Sequence, residues 1–141
     1  MTEITSAQAR IIIDTAMAKG TELGLKPLAV VVLDAGGHVK AFERADNAAA
    51  GRFNIAHGKA YGAVMLGMPG SAQMKRAEDQ PYFMAAINGV YGGHVVPVPG
   101  GVLVKHDDRV IGAVGVTGDT SDNDVICALA GLDAAGLIGE A

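Results

Sequence analysis

Apolar positions along the chain change their period several times, and each change marks an element. From Thr5 to Gly24, Ile4, Ile11, Ile12, Thr15, Ala16 and Ala18 fall near one stripe at helical spacing, with Thr5 or Ser6 as cap and Gly20 or Gly24 as stop. Pro27 forbids continuation, and Leu28 to Leu33 is an unbroken β-branched and aliphatic run of strand length, the pattern of a strand buried on both faces. Asp34-Ala35-Gly36-Gly37 predicts a tight turn, and Val39 to Glu43 the returning strand.

The period returns to 3.6 from Asp46 to Gly67, with Ala49, Phe53, Ala56, Ala60, Ala63 and Val64 on one narrow face that can lie close to a sheet. Met68-Pro69-Gly70 breaks this helix. Ser71 opens a short helix with Met74 inward, and Pro81 opens a third piece reaching about Asn88. Gly89 to Gly101 reads as an ordered loop or edge segment. Val102–Lys105 and Val110–Val116 flank the polar turn His106-Asp107-Asp108-Arg109 and predict a hairpin, and Ser121 to about Leu137 is a closing helix with Val125, Leu129, Leu132 and Ile138 inward. Two hairpins separated by helices predict a single domain over residues 1–141, an α+β fold with an antiparallel sheet rather than a doubly wound parallel one.

Composition changes what kind of core this is. The chain holds 24 Ala and 20 Gly, together 44 of its 141 residues, against 3 Phe, 3 Tyr and no Trp. Small residues bury little area each, so the layers must approach closely, and a mean hydropathy of +0.29 suggests that apolar surface is completed by a second copy of the chain. The net charge of −4, without a basic run, disfavours a nucleic-acid partner. Met1 to Thr5 carries neither the cationic stretch nor the following apolar run of a signal peptide, and no segment reaches the ~20 apolar residues of a membrane span. With a single cysteine, Cys127, the expectation is a cytoplasmic protein.

Few motifs carry chemistry. Gly112-x-x-Gly115-x-x-Gly118 has the wrong spacing for a nucleotide loop and reads as strand glycines admitting a helix. Asp119 to Asp124 fails the calcium-loop spacing, so Ser121 with Asp124 reads as a capping box, and Cys127 behind it as a buried small hydrophobe. His38 and His106 fall at turns and read as solvated. His57 and Tyr61, four apart, share a helix face from which Lys59 points away, and His94 sits in the glycine-rich segment. Arg44 and Asp46 follow the second strand, where either a ligand or a subunit contact would use them. No Ser-His-Asp, Cys-His or closed metal spacing occurs.

Five strings in order, Val30-Val31-Val32-Leu33-Asp34-Ala35-Gly36-Gly37-His38, Ala41-Phe42-Glu43-Arg44-Ala45-Asp46, Ile55-Ala56-His57-Gly58-Lys59-Ala60-Tyr61, Pro99-Gly100-Gly101-Val102 and Val110 to Gly118, resemble the GlcG/HbpS-like family, also seen as the C-terminal domain of PduO-type proteins. The resemblance spans essentially the whole chain, with Leu103 standing where the family commonly has proline. It implies a profilin-like domain in α/β/α layers, with a five-stranded sheet whose edge strand would lie near His94 to Val98. It also implies homo-oligomers from dimer to octamer, and a haem-binding role in sensing or sequestration.

A haem needs an apolar slot, an axial ligand and cations for its propionates. His94 or His57 would ligate the iron, Arg44 and Lys59 would meet the carboxylates, and Asp46, Tyr61, Gly100 and Gly101 would complete the site. The alternative class is a small-molecule enzyme or accessory protein of a catabolic operon, with Arg44 gripping a small carboxylate and His57 or Tyr61 moving a proton.

Overall fold

The computed structural model describes residues 3–141; Met1 and Thr2, on which part of the reading of the chain start rests, lie outside it. The elements are α1 (Ser6–Glu22), β1 (Ala29–Asp34), β2 (Val39–Arg44), α2 (Arg52–Leu66), α3 (Gly70–Asp79), α4 (Pro81–Val90), β3 (Gly101–His106), β4 (Arg109–Thr117), α5 (Ser121–Ala134) and β5 (Ile138–Glu140). All pairings are antiparallel, in the order β2-β1-β4-β3-β5, so the expected α+β class with a five-stranded antiparallel sheet holds. No helix among the described residues is long and apolar enough to cross a membrane.

Strand alternation sends Val30, Val32, Val102, Val104, Val114 and Val116 to one face, where they meet Ile12 and Ala16 of α1 and Cys127, Ala128 and Leu132 of α5. The opposite residues Ala29, Val31, Leu33, Leu103 and Ala113 meet Ala56, Ala60 and Ala63 of α2. These are the α/β/α layers. The small-residue composition finds its use on the second face: a Cβ on Gly115 would stand 2.1 Å from the Ala56 carbonyl oxygen, and one on Gly101 2.2 Å from that of Lys59. Backbone therefore rests on backbone, and the helix lies closer to the sheet than any larger side chain would allow.

Several expectations are corrected. The fifth strand is β5, paired with β3 through Leu103↔Glu140 to Lys105↔Ile138; the expected edge strand at His94 to Val98 is a connection, because β5 already occupies the sheet position beside β3. The closing helix accordingly ends at Ala134, Ile138 is exposed rather than inward, and Leu129 is also exposed. The α2 helix starts at Arg52, not Asp46, because Asn47 takes a left-handed φ of 69° and the turn bonds Ala48 N–H to Ala45 C=O and Arg52 N–H to Ala49 C=O precede it; Ala49 is thus exposed. In α1 the buried stripe runs through Ala9, Ile12, Ile13 and Ala16, leaving Ile11 exposed. In α3 the buried residues are Gly70 and Gln73, and Met74 is exposed rather than inward.

Candidate functional site

One flank of α2 carries Phe53, His57 and Tyr61 at successive i, i+4 positions, half-buried beside the alanines that press on the sheet. Their rings form a ladder: Phe53 and His57 stack with centroids 5.6 Å apart, and His57 and Tyr61 with centroids 5.3 Å apart. Phe42 of β2 meets Phe53 edge-on at 4.8 Å. From the other side His94 stands edge-on to both His57 and Tyr61, each at 6.1 Å, and Tyr91 stands 6.1 Å from Tyr61. Four of the six Phe and Tyr residues and two of the four histidines are therefore gathered on one strip. A chain poor in aromatic rings has concentrated them.

The α4–β3 connection delivers His94 to this strip, and glycines make the delivery possible. Gly92 and Gly93 turn the chain at φ 68° and 80°, and Val96 N–H donates to the Gly58 carbonyl while Val95 N–H donates to Asn88 Oδ1. A Cβ on Gly58 would lie 2.5 Å from Val96 Cγ2 and 2.7 Å from the His94 carbonyl oxygen, so the connection lies directly on the helix. His94 remains exposed and His57 half-buried. Burial, and then the charge of His94, push the His57 imidazole below its ordinary pKa, which keeps it neutral with a ring nitrogen lone pair available.

Sequence reasoning thus placed His57, Tyr61 and His94 among the candidates, and the structure brings these three together. It missed Phe42 and Tyr91, and it counted Phe53 only as a core residue although its position four residues before His57 was readable. The other candidates lie elsewhere. Arg44 and Asp46 line a separate cleft of about 360 Å³ with Met17, Thr21 and Leu25, which contains none of the three strip residues.

Lys59 is corrected: its side chain is 4% exposed, and its ammonium donates to Asp124 Oδ2 at 2.9 Å and to the Val116 carbonyl at 3.0 Å, so it is not placed to meet a ligand carboxylate. Gly100 and Gly101 are corrected with it. A Cβ on Gly100 would stand 2.8 Å from Lys59 Nζ, so both glycines make room for the lysine rather than for a ligand. Leu103 is fully buried beside Ala113 in the α2-side core.

The expected capping box is corrected by the same ion pair. Thr120 caps α5 through its hydroxyl, which accepts from Asn123 N–H, while Asp124 turns inward to Lys59 and accepts from Asp119 N–H. Burial pushes the Asp124 carboxyl upward against the pull of the Lys59 ammonium. Cys127 is fully buried, and burial raises its thiol pKa, which fits the expected inert core residue.

What the strip can do chemically follows from its parts: flat apolar faces for a planar ligand, and imidazoles for a Lewis-acidic centre. The HbpS-like family profile, described as "Haem degrading protein HbpS-like", matches residues 4–133. A Citrobacter freundii relative, the uncharacterised 15.0 kDa protein of the dhaT–dhaS intergenic region, is 31% identical over 130 residues, covering 92% of this chain and 90% of that protein. The crystal structure of Klebsiella pneumoniae protein ORFY superposes with a TM-score of 0.87 at 27% identity, over 96% of this chain and 92% of that one. A crystal structure of a PduOC:heme complex superposes at 0.86 over 96% and 97% of the two chains, and at 21% identity it speaks for the fold. With the family profile spanning nearly all of its length, the chain belongs to the HbpS-like family.

Proposed function

We propose that this protein binds haem on the aromatic strip of α2, in a sensing or sequestering role, as a cytoplasmic homo-oligomer. The single observation that carries the reading is the ladder Phe53–His57–Tyr61 with His94 beside it, in a chain that has few other rings to offer. The donor set fits the group: an exposed His94 and a half-buried, neutral His57 are iron ligands by chemistry, and the rings of Phe53, Tyr61 and Tyr91 offer apolar contact to a macrocycle. The bound iron would supply ligand exchange and one-electron chemistry. His94 would approach the group from the exposed side and His57 from the half-buried one, and Phe42, edge-on to Phe53, would extend the apolar contact at the end of the strip. Membership of the HbpS-like family and the fold shared with the PduOC:heme complex support the same ligand.

Self-association has its own support. From Pro81 to Val104 the chain carries no Asp, Glu, Lys or Arg, and Tyr82 and Val90 of α4 are 72% and 70% exposed. An uncharged, exposed helix beside the strip suits a contact between copies, from dimer to octamer. Titration of the purified protein with hemin tests the haem reading: a saturable Soret band of defined stoichiometry is expected, weakened in His94→Ala. A featureless, non-saturating absorbance overturns it and returns the protein to the small-molecule enzyme or accessory class, for which the cleft at Arg44 and Asp46 is the place to look.

A further inference from the structure

A second cleft, of about 230 Å³, lies where the α1–β1 connection, the β2–α2 connection and the end of β4 converge, lined by Lys26, Pro27, Asn47, Ala48, Arg52 and Gly118 with Ala49 at its rim. No lining residue carries a carboxylate, and among the described residues neither Lys26 nor Arg52 has an acidic side chain within ion-pair distance. Arg52 is half-buried and fixed: its Nη1 donates at 2.9 Å to the hydroxyl of Thr117, itself 2% exposed. The floor is built for close approach, since a Cβ on Gly118 would stand 2.3 Å from the Pro27 carbonyl oxygen.

Two acids adjoin the lining in sequence: Asp46, next to Asn47, lines the neighbouring Arg44 cleft that shares Lys26 and Pro27, and Asp119, next to Gly118, has its carboxylate engaged by the Lys26 backbone N–H at 3.1 Å and the Asn123 amide at 2.8 Å. Among the described residues neither acid pairs with Arg52, which is the cation of this cleft left without a carboxylate partner. A partly desolvated guanidinium with one donor committed and, among the described residues, no protein partner for the rest of its fork favours an oxyanion, which it can grip through two parallel hydrogen bonds. Beside Asn47, the remaining side chains of the wall are hydrocarbon, from Pro27, Ala48 and Ala49. That wall distinguishes an acid with a short aliphatic tail from a bare inorganic anion.

We propose that this cleft binds a short-chain carboxylate, with the carboxylate on Arg52 and Lys26 and the hydrocarbon tail against Pro27, Ala48 and Ala49. The site uses none of the strip residues, so it stands or falls separately from haem binding. The test is an amide-resolved NMR titration of the full chain with sodium propionate, with inorganic phosphate and sodium chloride in parallel. Propionate should shift the Asn47, Ala48 and Gly118 amides saturably, and Arg52→Gln and Lys26→Gln should each weaken the effect about tenfold, the scale of one lost charge-assisted contact. Lys26 is exposed, so its variant keeps the fold whether or not Arg52→Gln does. Shifts that stay linear and match those from chloride overturn the site, as do saturable shifts unchanged in Lys26→Gln. Phosphate binding more tightly than propionate overturns the carboxylate assignment.

Discussion

Replacing Lys59 by Met removes an ammonium from a place where its partner has no alternative. Asp124 is 1% exposed, and its Oδ2 is held by Lys59 at 2.9 Å while its Oδ1, among the described residues, accepts only the Asp119 N–H at 3.1 Å. In Lys59→Met the carboxylate would stay buried with one neutral donor, and breaking a buried pair in this way costs about 3–5 kcal/mol. Against a total stability of roughly 5–15 kcal/mol, that is a large fraction, and on the order of 10–20 °C in Tm. The penalty should depend on pH. Burial already raises the Asp124 pKa, and loss of the ammonium raises it further, so the folded variant prefers the neutral acid. The penalty is therefore absent below the unfolded carboxyl pKa of about 3.9 and grows as pH rises through the folded value. Lys59→Met with Asp124→Asn removes both charges, keeps an oxygen for Asp119 N–H, and should recover about half of the loss or more. Urea unfolding of the wild type, both single variants and the double variant across pH 3 to 8 measures all of this. A single-variant loss below about 1 kcal/mol at pH 7, or a double-mutant cycle with no coupling, would refute the reasoning.

Three further outcomes are expected. Gly101→Ala should destabilise by about 2–3 kcal/mol because its Cβ meets the Lys59 backbone oxygen at 2.2 Å, whereas Gly89→Ala, with no heavy atom within 4 Å, should stabilise α4 by about 0.5 kcal/mol; thermal melts separate the two. Asp119 is held at a pKa of about 2, chiefly by the Asn123 amide and then by the Lys26 and Thr120 N–H groups. Its folded pKa lies below its unfolded one, so its contribution is present above about pH 4 and lost as pH falls towards 2; carboxyl NMR titration should find that midpoint, and Asp119→Asn should flatten the acid side of the stability profile. In His94→Ala the His57 imidazole should titrate at higher pH than in the wild type, because the neighbouring charge is gone while the burial stays; an unchanged midpoint in imidazole proton spectra would contradict the strip geometry.

What the chain revealed in advance follows from how local each signal is. β1, the turn at Gly36-Gly37 and the β3–β4 hairpin were legible because their patterns depend on neighbours in sequence. His57 and Tyr61 were legible as a helix-face pair for the same reason. Asp124 was not, because three residues after Ser121 it matches a capping box, and only a partner 65 residues away turns it inward. Val95-Val96-Pro97-Val98 has the composition of a strand, yet Gly58 draws Val96 onto α2 and three residues at the C-terminus take the place beside β3. Such a short strand is too brief to show alternation. The glycines at 100 and 101 invited a ligand-loop reading because nothing local distinguishes room for a substrate from room for a lysine.

The sheet ends in two unlike edges, and this decides how copies of the chain can and cannot meet. On one side β5 offers only Ile138–Glu140, with Glu140 tied back to Lys105 at 2.9 Å. On the other, β2 bears Lys40, Glu43 and Arg44, and its pairing with β1 is irregular at Val32/Leu33. A sixth strand laid along either border would find too few backbone groups in one case, and charges with a broken register in the other. Runaway strand-to-strand polymerisation is thus discouraged at both borders, even though the interior strands β1 and β4 are among the most apolar segments of the chain. The self-association proposed above is left to side chains on the helical layers, where it can close into a finite assembly.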